Sequence, residues 1–410
     1  AAVRGQSSEA MGLISGALEA LPQENHLVRG RAFFSLGLAN ELTGQLEQAV
    51  DHYLEASEEA EAAGVLFLAV HARCAAAQVQ IQQGRLFLAE EACQKAIMLA
   101  DGQDEPPLGL AYVIRGGIAL ERNDLERAEE YLEKGMALAC SGSLMDDVIL
   151  GLAFLGRLYT AQGREEAAGA AIREAVSIVE LFRIPRLSAL LAAYQARLQL
   201  RFGHLKPALQ WAEEAMERDP EGSHEYEMLT MVRALLSAGR LEPVLPVLEH
   251  LGEKSSVSGN VQLEMEVRML MSLYYQTTGD QDQAKKMLSE SIQLGAAGGF
   301  ARIYLDEGQP MLDLLSSVRS HAPEYVDALV SMLSEETGVE VSPLDQLIEP
   351  LSEQELRVFK LIAAGRSNRE IADELVISVG TAKWHVHNIF QKLGVSSRPQ
   401  AIVRARELGL

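Results

Sequence analysis

Small residues recur along the first three hundred positions of this 410-residue chain with a period near 40. The register is set by Gly5, Gly44, Gly84, Asn123, Gly163, Gly203, Gly239 and Gly279, at steps of 39, 40, 39, 40, 40, 36 and 40 residues. Five places after each marker stand Ala10, Ala49, Ala89, Ala128, Ala168, Ala208, Val244 and Ala284. Twelve places after it stand Ala17, Ala56, Ala96, Gly135, Ala175, Ala215, Leu251 and Ser291. Positions seven apart share one face of a helix. A Gly or Asn in the left-handed conformation ends the helix before it, and a second helix starts almost at once. The pattern thus predicts antiparallel hairpins whose second helix offers a small-residue face for close packing. About eight hairpins of roughly 40 residues stack into an all-α solenoid, a right-handed superhelix without a sheet. The Gly239 hairpin, with Val244, Leu251, Pro243, Pro246 and the short step, is expected to be distorted. Gly5 read as a turn leaves its hairpin without a first helix, as in a piece of a longer protein.

Beyond the repeats, "GGFARIYLDEGQPMLDLL" and "HAPEYVDALVSMLSEE" read as capping helices with an apolar stripe through Leu312, Leu315 and Val318. Solenoid ends need such covers, so residues 1–334 form one helical domain. Residues 335–350, with Pro343 and Pro350, read as a linker. From Leu351 to Leu410 four helix starts follow: Ser352 with Glu355, Ser367 with Glu370, Ser378 with Thr381, and Ser397 with Gln400. Leu351 and Leu356 suit a hydrophobic staple around the first. Phe359, Ile362, Ile371, Leu375, Val386, Ile389, Leu393 and Ile402 supply one small core.

Only "VIS" (376–378) separates the second and third of these helices, which is a helix-turn-helix connection. The third helix carries Lys383, Trp384 and His387 away from its apolar stripe, a face suited to base edges in a major groove. Asn368, Ser378 and Thr381 at helix starts, with Lys392 and Arg398, are the candidates for contacts to the phosphate backbone. Ala401, Ile402, Ala405 and Leu408 offer an apolar face on the fourth helix for self-association on DNA.

Composition agrees with an all-helical chain, with 5% aromatics and few β-branched runs. The net charge of -22 is unevenly spread: residues 351–410 hold nine Lys/Arg and six Asp/Glu, a net +3, and the rest carries 27 against 52, or -25. A basic module on an acidic body can hold DNA while the body repels it. Acidic stretches such as "EASEEAEAAG" read as solvated helix faces, and no nucleophile is paired with a base, so no enzyme activity is expected in this chain. Cys74, Cys93 and Cys140 show no C-x-x-C spacing and read as buried free thiols, and the histidines show no metal-ligand pairing. No stretch approaches a transmembrane length and no signal-peptide pattern opens the chain, which points to the cytoplasm and away from membranes.

The sequence "LSEQELRVFKLIAAGRSNREIADELVISVGTAKWHVHNIFQKLGVSSRPQAI" resembles the LuxR-type (NarL/FixJ-like) DNA-binding domain almost end to end. The resemblance implies that the third helix reads bases in double-stranded DNA through Lys383, Trp384 and His387. Lys383 matches the family's common residue, whereas Gln354 and Ala382 stand where an Arg and a Val are common. The repeats resemble the tetratricopeptide superfamily, with a longer step and without its full signature. Taken together, the chain resembles the C-terminal part of the MalT-like, large ATP-binding regulators, which carry a segment similar to "GFARIYLDEG" after their repeats. That resemblance implies a solenoid that senses a small-molecule inducer or a protein on its concave face. It also implies an ATPase, with ATP as cofactor, in an N-terminal region; no G-x-x-x-x-G-K-[ST] occurs here and no cofactor is expected in this chain. The alternative reading is a peptide- or protein-binding scaffold with secondary DNA binding.

Overall fold

The computed structural model describes residues 2–184, 187–217, 224–339, 351–408 and 410, and among them there is no β-strand. They divide into two compact units, Ala1–Asp306 and Glu307–Leu410. The first unit contains α1 (Ala2–Ala20), α2 (His26–Thr43), α3 (Leu46–Ala62), α4 (Leu66–Gln82), α5 (Leu86–Met98), α6 (Gly109–Glu121), α7 (Leu125–Ser141) and α8 (Met145–Ala161). It continues with α9 (Glu165–Leu181), α10 (Ser188–Arg201), α11 (Leu205–Met216), α12 (Glu225–Ser237), α13 (Val244–Ser258), α14 (Val261–Thr278), α15 (Gln281–Gly298) and the short α16 (Arg302–Leu305).

Among the described residues seven hairpins are complete, from α2/α3 to α14/α15, and all seven of their turn markers are left-handed, Asn123 included at φ +62. The eighth marker behaves differently. Gly5 lies inside α1, not at a turn. One glycine costs a helix only about 1 kcal/mol, and "AVRGQSSEA" supplies no second stop signal.

The predicted faces are buried in the complete hairpins, whereas in α1 Ala10 is partly exposed and Ala17 exposed. Ala49, Ala89, Ala128, Ala168, Ala208, Val244 and Ala284 have no exposed surface, and neither do Ala56, Ala96, Ala175, Leu251 and Ser291; Ala215 is partly exposed. The matching surface on the first helix is a further column seven places before each marker: Gly37, Ala77, Gly116, Gly156, Ala196, Val232 and Ser272. A Cβ on Gly116 would lie 2.6 Å from the Leu132 side chain, and one on Gly156 2.7 Å from that of Ile172. In these two hairpins, and in the one where a Cβ on Gly37 would lie 2.6 Å from Tyr53, a large residue nine places after the marker seats over a glycine seven before it and fixes the close approach of the two helices. The Gly239 hairpin is distorted as its prolines require: α13 begins five residues after its marker, where α3, α5, α7, α9, α11 and α15 begin two after theirs. Pro243 holds the N-cap in a helical conformation.

After α15 the chain turns at Gly299 and runs back to earlier hairpins as well as covering the last one. Phe300, Arg302, Tyr304 and Leu305 are fully buried. Tyr304 donates to the Ser291 carbonyl at 2.8 Å, and the Ala301 N–H donates to the Glu121 carbonyl at 2.6 Å. Helices α6, α8, α10, α12 and α14 direct charged side chains into one ion-pair network: Arg157–Glu121 at 2.8 Å, Arg197–Glu266 at 3.2 Å, Arg233–Glu266 at 2.6 Å and Arg197–Asp306 at 3.6 Å. These paired charges and residues 301–306 thus meet along the first helices of successive hairpins.

Cys74 and Cys93 are buried free thiols, as expected; Cys140 departs from the expectation and is exposed, in the last turn of α7. In the second unit, α17 (Gln309–Leu315), a 3-10 turn (Ser316–His321) and α18 (Pro323–Thr337) bury the expected stripe of Leu312, Leu315 and Val318. Residues 340–350 of the expected linker, with Pro343 and Pro350, lie outside the described residues. Four helices follow: α19 (Glu353–Ala363), α20 (Asn368–Leu375), α21 (Val379–Lys392) and α22 (Arg398–Glu407). No helix among the described residues is long and apolar enough to cross a membrane.

Candidate nucleic-acid interface

Three of the last four helices start where serine side chains satisfy orphan N–H groups. Ser352 and Glu355 form a reciprocal capping box, with the Ser352 N–H donating to Glu355 Oε2 at 2.8 Å. Ser367 and Glu370 repeat it at α20. Ser378 accepts from the Thr381 N–H at 3.0 Å, and the two hydroxyls are 2.8 Å apart. At α22 the expected Ser397–Gln400 pairing is shifted by one residue: Gln400 Oε1 accepts from the N–H of Ser396 at 2.9 Å and from its hydroxyl at 3.0 Å, and Ser397 makes no side-chain cap.

Between α20 and α21 the chain reverses at Val376, which is left-handed at φ 55, ψ 48 and 91% exposed. The helix after it is two-faced. Ala382, Val386, Ile389 and Leu393 join the core with Val358, Phe359, Ile362 and Ile371, while Leu375 and Ile402 pack at its edge. Lys383, Trp384 and His387 are on the other side, and Trp384 is 59% exposed, packed edge-on against His385 with 5.0 Å between ring centroids. Offsets of three and four bring these three side chains to one outer surface. Val379, 41% exposed in the first turn of α21, stands one turn before Lys383. Val376 and Val379, which flank the capping Ser378, are exposed apolar residues that no periodicity in the sequence marks as outward-facing.

The backbone-contact candidates are differently occupied. Ser378 and Thr381 are exposed at the start of α21. Lys392 donates to Glu355 Oε2 at 2.8 Å, so its ammonium is tied to the cap of α19. Burial alone would raise the Glu355 carboxyl, but the bonds from Lys392 and the Ser352 N–H outweigh it and hold the pKa below the usual value. Arg398 donates to Asn368 Oδ1 at 2.9 Å and to the Arg366 carbonyl, so Asn368 and Arg398 are brought together and brace α20 against α22. Arg366 lies 3.7 Å from Glu370. Arg369, exposed in the first turn of α20, is a further cation beside these candidates.

The apolar face of α22 is corrected by the structure. Ala401 and Ala405 are fully buried, Leu408 nearly so and Ile402 partly, all in the module's own core, where α22 packs on α19. What α22 leaves outside is Val403, 54% exposed, with Arg406.

These features agree with two family models. The MalT-like TPR region matches residues 1–321, and the bacterial regulatory proteins of the luxR family match residues 349–405. The chain is 24% identical to the HTH-type transcriptional regulator MalT of Yersinia enterocolitica over 98% of its own length and 48% of that protein's. The same figures hold for the regulator of that name in Yersinia pseudotuberculosis. The chain thus spans about half the length of the curated relatives it matches. With its seven-hairpin solenoid and its serine-capped helix-turn-helix, it belongs to the MalT-like TPR family and ends in a luxR-family DNA-binding module.

Proposed function

We propose that this chain is the sensing and DNA-binding part of a transcription regulator in which the solenoid receives a signal and the C-terminal module binds double-stranded DNA. One observation carries the reading: α21 is buried along one side and presents Lys383, Trp384 and His387 along the other. A helix held this way can enter a major groove without losing its core. Lys383 donates to guanine O6/N7 or to a phosphate, Trp384 lies against a sugar or a thymine methyl, and His387 reaches a base edge one turn on. Ser378 and Thr381 offer hydroxyls and helix-start N–H groups to phosphate. Asn368, Lys392 and Arg398 contribute by exchanging an internal bond for a phosphate, or by bracing the helices that carry the free donors.

On this reading the signal is a small-molecule inducer or a protein, and the module associates with a second copy on DNA, since one helix-turn-helix covers a half-site. ATP belongs to a region outside this chain, and the protein works in the cytoplasm. The second reading, a binding scaffold with secondary DNA contact, is less favoured because the outward face of α21 is built from groups suited to base edges. A Trp211→Phe variant of the 410-residue protein makes Trp384 the sole indole. Its emission should be that of an exposed indole and should change on titration with DNA fragments selected for binding. Blue-shifted emission indifferent to DNA would remove the base-reading face.

A further inference from the structure

Among the hairpin turns of the register, one marker is not glycine, and the structure gives that exception a task. Asn123 is left-handed like the others, a conformation that glycine adopts without strain and asparagine tolerates. Its Oδ1 accepts from Arg302 Nη1 at 2.9 Å, across 179 residues of sequence. Arg302 has no exposed surface and is also bound by Asp306 Oδ1, at 3.1 Å from Nε and 2.5 Å from Nη2. Asp306 is held far below the usual carboxylate range: burial opposes this, and Arg302, Arg197 and Arg157 outweigh it. Two residues before Asn123, the Glu121 carbonyl accepts from the Ala301 N–H, and the Glu121 carboxylate pairs with Arg157. Just before this segment, a Cβ on Gly298 would lie 2.5 Å from the carbonyl oxygen of Gly84, at the turn between α4 and α5.

We propose that residues 299–306 are a clasp that fastens the end of the solenoid to the turn of the Asn123 hairpin, and that Asn123 is the residue positioned to keep it shut. The hairpins from α7 to α15 form a loop of the chain closed by this contact. A solenoid bends by small changes at each repeat interface, and those changes add up at its ends. Any signal that alters the stacking of α8, α10 or α12 therefore acts on the clasp, which closes the chain together with the close approaches of Val261 to Gly84 and of Ser258 to Gly44. Such a contact has two discrete states, fastened and parted, and parting uncovers the charged inner face of these helices. This explains why the turn forgoes the better residue for its backbone: glycine would fit the conformation and lose the acceptor.

Hydrogen exchange measured by mass spectrometry on the 410-residue protein tests this, comparing the native sequence with Asn123→Gly and Asn123→Asp. Asn123→Gly preserves the turn, since glycine occupies the same place in the other complete hairpins, and removes only the acceptor. Exchange in peptides spanning 299–306 should rise by about tenfold, the effect of losing one hydrogen bond to a charged donor, while peptides from α2 and α3 keep native rates. Asn123→Asp restores an acceptor and should return the protection. The proposal is overturned if Asn123→Gly leaves 299–306 as protected as before. It also fails if that variant loosens α2 and α3 equally, which makes Asn123 a general support of the fold, or if Asn123→Asp exchanges as fast as Asn123→Gly.

Discussion

The repeat register makes an unusual demand on two positions of the same column, that opposite substitutions both destabilise. Ala175 and Leu251 each stand twelve places after a turn marker and each is fully buried. Ala175 belongs to a core cluster with Val179, Ile149 and Leu191, so Ala175→Leu forces three more carbon atoms into a filled space. Overpacking of this kind costs about 1–3 kcal/mol through shifted backbone and off-rotamer side chains. Leu251→Ala removes three buried carbons at about 0.8 kcal/mol each, so roughly 2.4 kcal/mol of transfer free energy is lost. The unfilled volume takes the total into the range of about 2–5 kcal/mol. The hairpin with Leu251 has room for the larger side chain because α13 begins three residues late, and an alanine there leaves a hole the prolines prevent the helices from closing. Urea denaturation followed by circular dichroism at helical wavelengths should show both midpoints lowered, Leu251→Ala the more. If Ala175→Leu is neutral or stabilising, the column is not a packing surface.

Replacing Lys383 by Ala should weaken specific DNA binding by about 1–3 kcal/mol and leave the thermal midpoint unchanged, read by fluorescence anisotropy and a melting curve; equal binding would exclude Lys383 from the interface. Val376→Asn should stabilise the C-terminal module by about 1 kcal/mol, because a β-branched residue in the left-handed region is strained and its 91% exposure leaves no packing to lose. Unchanged exchange protection of α20 and α21 would argue against that strain. Glu355 has a lowered pKa, so it contributes stability above the unfolded carboxylate value of about 4.3 and loses it as pH falls through its folded value. Acid melts of the native protein and Glu355→Gln should therefore converge below that window and separate above it; parallel curves at all pH values would refute the linkage.

The hairpins were legible because their constraint is local and repeated: a left-handed turn residue and a small face seven residues apart leave the same mark every 40 residues. The column seven places before each marker was as regular in spacing, yet its residues range in size from Gly37 and Gly116 through Ala77 to Val232. Its meaning emerges only when Tyr53 or Leu132 is seen seated over it. Gly5 shows the opposite limit, since a glycine in phase with the repeat is still only one residue, and the helix around it continues. Nothing local in "GFARIYLDEG" points to Asn123, because the contact spans 179 residues and is made by a turn whose neighbours already account for an asparagine there.

The interface was legible in its caps and its reading helix, and less so in its charges. Counting cations gives the module a net +3, but the count treats Lys392 and Lys383 alike. The first is fixed on Glu355 at 2.8 Å beneath the cap of α19, while the second stands exposed on α21 beside Trp384. A phosphate gains little from a cation whose field is already cancelled at contact distance by a carboxylate, and much from one that faces solvent. The same distinction separates Arg398, bound to Asn368 and to the Arg366 carbonyl, from Arg369, exposed in the first turn of α20. An acidic chain therefore needs no general excess of positive charge to hold DNA. It needs a few uncancelled cations on one helix face, and the capping carboxylates help decide which those are: Glu355 ties Lys392 at 2.8 Å, and Glu370 stands 3.7 Å from Arg366 on the surface.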